Sequence, residues 1–175
     1  SHVIEIASND GYLLKNFVAA GIPCLGIEPT SSTADVAEAL GIPVLREFFG
    51  NDLGTRLAKE NRLADLVLGN NVYAHVPDIN DFTWGLNKVL KSGGTITLEF
   101  PHLLQLLKEN QFDTVYHEHF SYLSLQTVGR IFNRAGLIIF DVEKLSTHGG
   151  SLRVYGCLAQ GIRQISVSVE EVLAE

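Results

Sequence analysis

Val3-Ile4-Glu5-Ile6-Ala7-Ser8-Asn9-Asp10-Gly11, followed by Leu13, Leu14, Phe17 and Val18 at helical spacing, decides how this chain is read. A short apolar run that breaks at small polar residues and resumes with a period near that of an α-helix is a strand, a tight loop and a helix. Gly21-Ile22-Pro23 ends the helix, and Cys24-Leu25-Gly26-Ile27-Glu28 is a second short strand that closes on an acid. Two strands joined through a helix pair in parallel, by a right-handed crossover.

The same alternation runs outward through most of the chain. Residues 33–40 read as a helix, Gly41-Ile42-Pro43 as punctuation and Val44-Leu45 as a strand. A helix over 53–60, a strand over 64–69, a loop over 70–77 and a helix over 78–90 follow, with Trp84 on the apolar face of that last helix. Lys91-Ser92-Gly93-Gly94 reads as a turn into a strand over 95–100, and the polar-aromatic stretch 116–122 is less regular. After a helix over 125–135, two apolar runs, 137–145 and 151–158, flank Ser146-Thr147-His148-Gly149-Gly150 as an antiparallel hairpin. The expectation is an α/β, Rossmann-like fold: a mixed seven-stranded sheet flanked by helices, with strand order not readable from periodicity.

Bulk composition narrows the function classes. The 175 residues suit one domain, and 46% hydrophobic with 19% charged residues allows a packed core. A net charge of −7 and no basic run argue against nucleic acid as a partner, because phosphate needs a lysine and arginine stripe. Cys24 and Cys157 lie far apart in apolar stretches and read as buried small hydrophobes, not as a disulfide or metal knuckle. With no membrane-spanning run and no signal peptide in view, a cytoplasmic location is expected. Ser1-His2 reads as a cloning scar, 3–160 as the domain, and 161–175 as the start of a truncated C-terminal region.

A ligand in such a sheet sits beyond the carboxyl ends of the strands, beside the first loop. Here that loop is Ala7-Ser8-Asn9-Asp10-Gly11, which lacks the three glycines a dinucleotide diphosphate requires and carries Asp10 where its charge would lie. A nicotinamide-dependent oxidoreductase is therefore the weakest reading. S-adenosylmethionine fits better: it has no phosphate, and its sulfonium and ammonium favour carboxylates. Glu28, 17 positions after Gly11, is placed to accept both ribose hydroxyls. The plainer alternatives are a solvated strand end for Glu28 and a helix cap for Asp10.

Glu5-Ile6-Ala7-Ser8-Asn9-Asp10-Gly11-Tyr12-Leu13-Leu14, Gly26-Ile27-Glu28-Pro29, Asn70-Asn71-Val72-Tyr73-Ala74-His75-Val76-Pro77-Asp78, Tyr116-His117-Glu118-His119-Phe120-Ser121-Tyr122 and His148-Gly149-Gly150-Ser151-Leu152-Arg153 together resemble the C-methyltransferase family of deoxysugar biosynthesis. The resemblance spans essentially the whole chain. It implies a class I methyltransferase domain that binds S-adenosylmethionine and, as its small-molecule partner, a nucleotide-linked 4-keto sugar whose ring carbon is methylated. It also implies a cysteine-rich zinc-binding domain before this one and a further α/β domain after it. Neither is in the 175 residues, so no metal is expected here, and nothing fixes the oligomeric state.

Carbon methylation needs a carbanion, and a neutral imidazole can take a proton next to a ketone if the enolate is stabilised. By resemblance His119 is the base, with Glu118 and Tyr116 assisting as orienting carboxylate and oxyanion donor. His117 is the rival base, since residues 117 and 119 share a face of an extended segment. Metal ligation by His117, Glu118 and His119, or an ordinary polar loop, are further alternatives. The cofactor-binding candidates are Glu5, Ala7, Asn9, Asp10, Gly11, Glu28, Asn70 and Asn71. Those for substrate are Tyr73, His75, His148, Gly149, Gly150 and Arg153. Phe48 and Phe49 read as core before adenine contacts. Competing functions are O- or N-methylation of another small molecule, or a cofactor-binding module inactive by itself.

Overall fold

The computed structural model, which describes residues 1–161 and 163–175, alternates strands and helices as far as the last two strands. The first half comprises β1 (Val3–Ile6), α1 (Leu14–Ala19), β2 (Cys24–Ile27), α2 (Ser31–Ala39), β3 (Val44–Leu45), α3 (Asn51–Lys59) and β4 (Ala64–Asn70). Then come α4 (Ile79–Val89), β5 (Leu90–Pro101), α5 (Leu103–Lys108), α6 (Leu125–Arg134), β6 (Leu137–Leu145), β7 (Ser151–Leu158) and α7 (Val167–Leu173). One seven-stranded sheet has the order β3-β2-β1-β4-β5-β7-β6. β1 to β5 pair in parallel, and β7 runs antiparallel to both β5 and β6. The chain winds outward from β1 to β3, then restarts beside β1 with β4. That reversal opens a crevice at the carboxyl ends of β1 and β4, where ligands of open α/β sheets bind.

β1 is buried along its whole length because it is covered on both faces. Ile4 and Ile6 join the large core with Leu57, Phe82 and Leu86, while Val3 packs with Leu14, Ala37 and Ile42 on the other side. α3 and α4 cross in backbone contact, since a Cβ on Gly54 would lie 2.6 Å from the Gly85 carbonyl oxygen. Cys24 and Cys157 are free and buried. No helix among the described residues is long and apolar enough to cross a membrane.

Two expectations need correction, and the last stretch of the chain can be placed. Lys91-Ser92-Gly93-Gly94 is not a turn ahead of β5 but lies inside it: Leu90 already pairs with Ala64, and the ladder resumes at Leu66 with Thr95, so the extra residues bulge. Trp84 is not core; it is 42% exposed on the outer face of α4. The 161–175 stretch, of which residue 162 lies outside the described residues, carries α7, whose Val169 and Val172 enter the same large core.

Candidate active site

The first loop is held by an alternating backbone. Ala7, Asn9 and Gly11 all take left-handed φ values, 56°, 48° and 78°. Asparagine tolerates that region by bonding locally, here through Nδ2 donating to the Ala7 carbonyl at 2.9 Å. Gly11 admits no side chain, since a Cβ would stand 2.3 Å from Ile42 Cδ1. Glu28 is 4% exposed, so it is no solvated strand end. Its Oε2 accepts from the Asn9 amide at 3.2 Å and its Oε1 from the Thr30 amide at 2.8 Å, which leaves each oxygen a further lone pair. Asp10 is exposed and accepts from the Tyr12 amide at 3.2 Å; it does not cap α1, which starts after Leu13.

Behind the loop, Glu5 is buried and its Oε2 has no hydrogen-bond partner among the described residues; Ser8 Oγ is in the same state. Burial first and the Asp10 charge second push the Glu5 carboxyl up to about 7. A carboxylate in this position calls for a cation. The residues present therefore fit S-adenosylmethionine, with carboxylates for its positive centres and no crowded amides for a diphosphate.

A cavity of about 230 Å³ opens at the carboxyl ends of β1 and β2, lined by Ala7, Glu28, Phe48, Phe49, Val72 and His75 among others. Phe49 is core, edge-on to Phe82 with ring centroids 5.2 Å apart. Phe48 is not: it is 86% exposed at the cavity wall. Asn71 takes φ 51° and donates its amide to the Glu99 carbonyl at 2.8 Å, with Oδ1 buried and without a partner among the described residues. Asn70 is not in this cavity; it lines a depression with Leu13, Leu68 and Thr97.

His75, in a 3-10 turn over Tyr73–His75, also borders the second half of the site. The His119 ring lies 4.7 Å from that of His75, 4.5 Å from Tyr116 and 5.9 Å from Tyr122, centroid to centroid. His119 Nδ1 is 2.9 Å from the Thr114 carbonyl oxygen, and His75 Nδ1 is 3.1 Å from that of Glu118. A carbonyl only accepts, so in each neutral ring Nδ1 carries the proton and Nε2 keeps its lone pair. His119 Nε2 lies 3.4 Å from the Tyr116 hydroxyl. Burial first, then the charge of His119, lowers the His75 pKa. The Phe120 and Ser121 amides, 2.9 and 3.2 Å from the Ala74 carbonyl oxygen, fasten the segment to the turn after β4.

Several candidates fall elsewhere. Tyr73 is fully buried with its hydroxyl on Thr83 Oγ1 at 2.7 Å, and so is a core residue and not a substrate contact. His117 is exposed outside the ring cluster, because 116–119 is a turn closed by the His119 amide on the Tyr116 carbonyl at 3.1 Å, not an extended segment. Glu118 acts on an imidazole through its carbonyl, and on His75 instead of His119. Arg153 is not free for substrate, since it pairs with Glu99 at 2.9 Å and Glu143 at 3.4 Å. Gly149 and Gly150 line a second cavity, and His148 stays exposed outside its lining. His102, in that second lining, was missed; nothing in its sequence context marks it. Among the described residues no cluster of histidine, cysteine or acidic residues is placed to hold a metal ion.

Comparison with known proteins agrees with this geometry. A family model described as "Methyltransferase domain" matches residues 1–141. The C-methyltransferase NovU of Streptomyces niveus is 38% identical over 173 residues, 99% of this chain and 41% of that protein, so the chain spans well under half of this relative. The magnesium protoporphyrin IX methyltransferase of Synechocystis with bound S-adenosylhomocysteine superposes with a TM-score of 0.66 at 15% identity, covering 88% of this chain and 72% of that one. A methyltransferase from Thermotoga maritima superposes at 0.65 with 18% identity, covering 91% and 82%. The chain belongs to the methyltransferase domain family, and its fold is that of the class I S-adenosylmethionine-dependent enzymes.

Proposed function

We propose that this S-adenosylmethionine-dependent methyltransferase domain methylates carbon, on a nucleotide-linked 4-keto deoxysugar, through an enolate. The observation that carries the reading is the tautomer of His119: the Thr114 carbonyl holds Nδ1–H, so Nε2 is a base, and the Tyr116 hydroxyl stands 3.4 Å away. In the proposed step Nε2 takes the proton from the carbon beside the ketone. The C–H electron pair moves into the enolate, and the Tyr116 hydroxyl donates to the oxygen that gains charge. S-adenosylmethionine supplies the electrophilic methyl, which the enolate carbon takes as S-adenosylhomocysteine departs. His75, between the cofactor cavity and His119, is the residue through which the two halves touch. The similarity to a protein named as a C-methyltransferase supports the same reading.

The test has two parts. Calorimetry with S-adenosylhomocysteine, with NAD as control, should show saturable binding of the former alone. In deuterated water, mass spectrometry of a nucleoside-diphospho-4-keto-6-deoxysugar should show exchange at the carbon next to the ketone. His119→Asn should slow that exchange by about 10²- to 10⁴-fold. Methyl transfer without exchange would point to an oxygen or nitrogen acceptor. Binding with neither would make the chain a cofactor module that needs the rest of a longer protein.

A further inference from the structure

The second cavity, about 660 Å³, lies between α5 and the connection from β6 to β7. His102, Gln105 and Glu109 line one wall; Lys144, Ser146 and Gly150 line the other. His102 is the informative residue. It is 3% exposed, and its Nδ1, shut off from solvent, has no partner among the described residues. Burial lowers its pKa, so the ring is neutral and offers one donor and one acceptor.

The lining selects against charge. Of the lining residues Lys144 is paired with Glu175 and the other formal charge is the carboxylate of Glu109, while Lys108 acts on His102 from outside the lining. What remains is amide, hydroxyl, imidazole and glycine backbone. The lining residues include no Phe, Tyr or Trp, and the one aromatic ring, His102, is buried, whereas pockets for nucleobases stack them on π faces. An uncharged, non-planar ligand rich in hydroxyls suits such walls.

The cavity is wired to the base. Gln111 Nε2 donates to the Gly149 carbonyl at 2.7 Å, the Thr114 amide and hydroxyl donate to the Gln111 carbonyl at 3.1 and 2.8 Å, and Thr114 in turn holds His119. The His102 amide donates to the Gly150 carbonyl at 3.0 Å.

We propose that this cavity is a sugar-hydroxyl subsite for the acceptor, with Gln105 and the Gly149–Gly150 backbone reading vicinal hydroxyls beside the buried His102; it rests on the acceptor being a glycosyl compound. A hexose and the ribose of a nucleotide present the same chemistry, and the test separates them. The ¹⁵N-labelled chain is titrated with methyl α-D-glucopyranoside, uridine and uracil at millimolar concentrations, and S-adenosylhomocysteine is titrated into the same sample. Saturable shifts at the Gln105, Gln111, Gly149 and Gly150 amides are expected with the glycoside or uridine and not with uracil, and the tighter of the two names the source. Gln105→Ala should weaken that ligand about three- to tenfold. Uracil shifts as large as those of uridine, or no saturable shift with any probe, would overturn the subsite. Subsite shifts without S-adenosylhomocysteine binding would instead remove the methyltransfer reading and leave the sugar site standing.

Discussion

Glu5→Gln changes the charge behind the cofactor loop with almost no change of shape. The folded chain holds the Glu5 proton more tightly than the unfolded one, because burial and then Asp10 raise its pKa from 4.5 to about 7. The sign follows from linkage: the penalty is absent below the unfolded value of 4.5, grows as pH rises, and is complete above about 7. At about 1.4 kcal/mol for each pH unit of that gap, the penalty reaches about 3 kcal/mol. Urea denaturation of both proteins from acid to mildly alkaline pH measures it as a difference. Other titrating groups, His75 and His102 among them, are common to both proteins and cancel. The stability of Glu5→Gln relative to the parent should therefore move by about 3 kcal/mol in its favour as pH rises, then level off. A difference that stays flat would refute the buried, uncompensated carboxyl. The cofactor part of the argument has its own signature. If the ammonium of S-adenosylhomocysteine meets Glu5, parent affinity rises with pH through this range, adenosine shows no such rise, and Glu5→Gln abolishes it.

Glu28→Ala removes the acceptor for the Asn9 and Thr30 amides and should cost about 1–3 kcal/mol while sharply weakening adenosine binding by calorimetry. Gly11→Ala forces a Cβ to 2.3 Å from Ile42 Cδ1 at a left-handed φ, and thermal unfolding should show a loss of more than about 2 kcal/mol. Ala7→Gly relieves the same kind of strain at φ 56° and should change stability by less than about 1 kcal/mol. His102 has a pKa lowered by burial, so its unfolded form takes the proton first; stability should fall as pH drops from about 6.5 through the folded value, and His102→Gln should flatten that limb in urea titrations.

Periodicity was enough for the alternation of strands and helices, because buried parallel strands and amphipathic helices carry their packing in local spacing. β6 and β7 came out with the bounds read from sequence. What failed was what depends on distant partners. Lys91-Ser92-Gly93-Gly94 reads locally as a turn, yet Leu90 finds Ala64 across the sheet and the strand starts early. Tyr73 reads as a loop phenol, but the turn after β4 drives it into a nest of Phe82, Phe100 and Phe132. Arg153 reads from sequence as a substrate contact, but β5 brings Glu99 opposite it. Whether residues 117 and 119 share a face depends on whether 116–119 is extended or turned, and the turn closed by the His119 amide brings His119 alone of the two into the ring cluster. His102 had no local signal at all, since its meaning comes from the 146–150 connection folding against it.

The position of His119 follows from the topology more than from its own neighbours in sequence. α5 and the segment after it have few buried side chains of their own, so the stretch from 112 to 122 owes its placement to partners elsewhere. Beside the His75 ring on the Glu118 carbonyl, three of its anchors are Gln111 to the Gly149 carbonyl, the Leu103 amide to the Leu123 carbonyl at 2.9 Å, and the 120–121 amides to Ala74. Two of the three anchors lie on connections at the carboxyl ends of strands, Ala74 after β4 and Gly149 before β7. A segment held this way by hydrogen bonds, without a core beneath it, can open locally at a fraction of the global unfolding free energy. On the proposed chemistry that weakness is useful. His75 touches the cofactor cavity on one side and His119 on the other, so a cofactor that orders the turn after β4 also orders the carbonyl on which the catalytic segment hangs. Hydrogen exchange at the Phe120 and Ser121 amides, which lie outside the lining of the cofactor cavity, should be slowed by S-adenosylhomocysteine and would register that coupling; unchanged exchange in the saturated protein would mean that the two halves of the site are built independently.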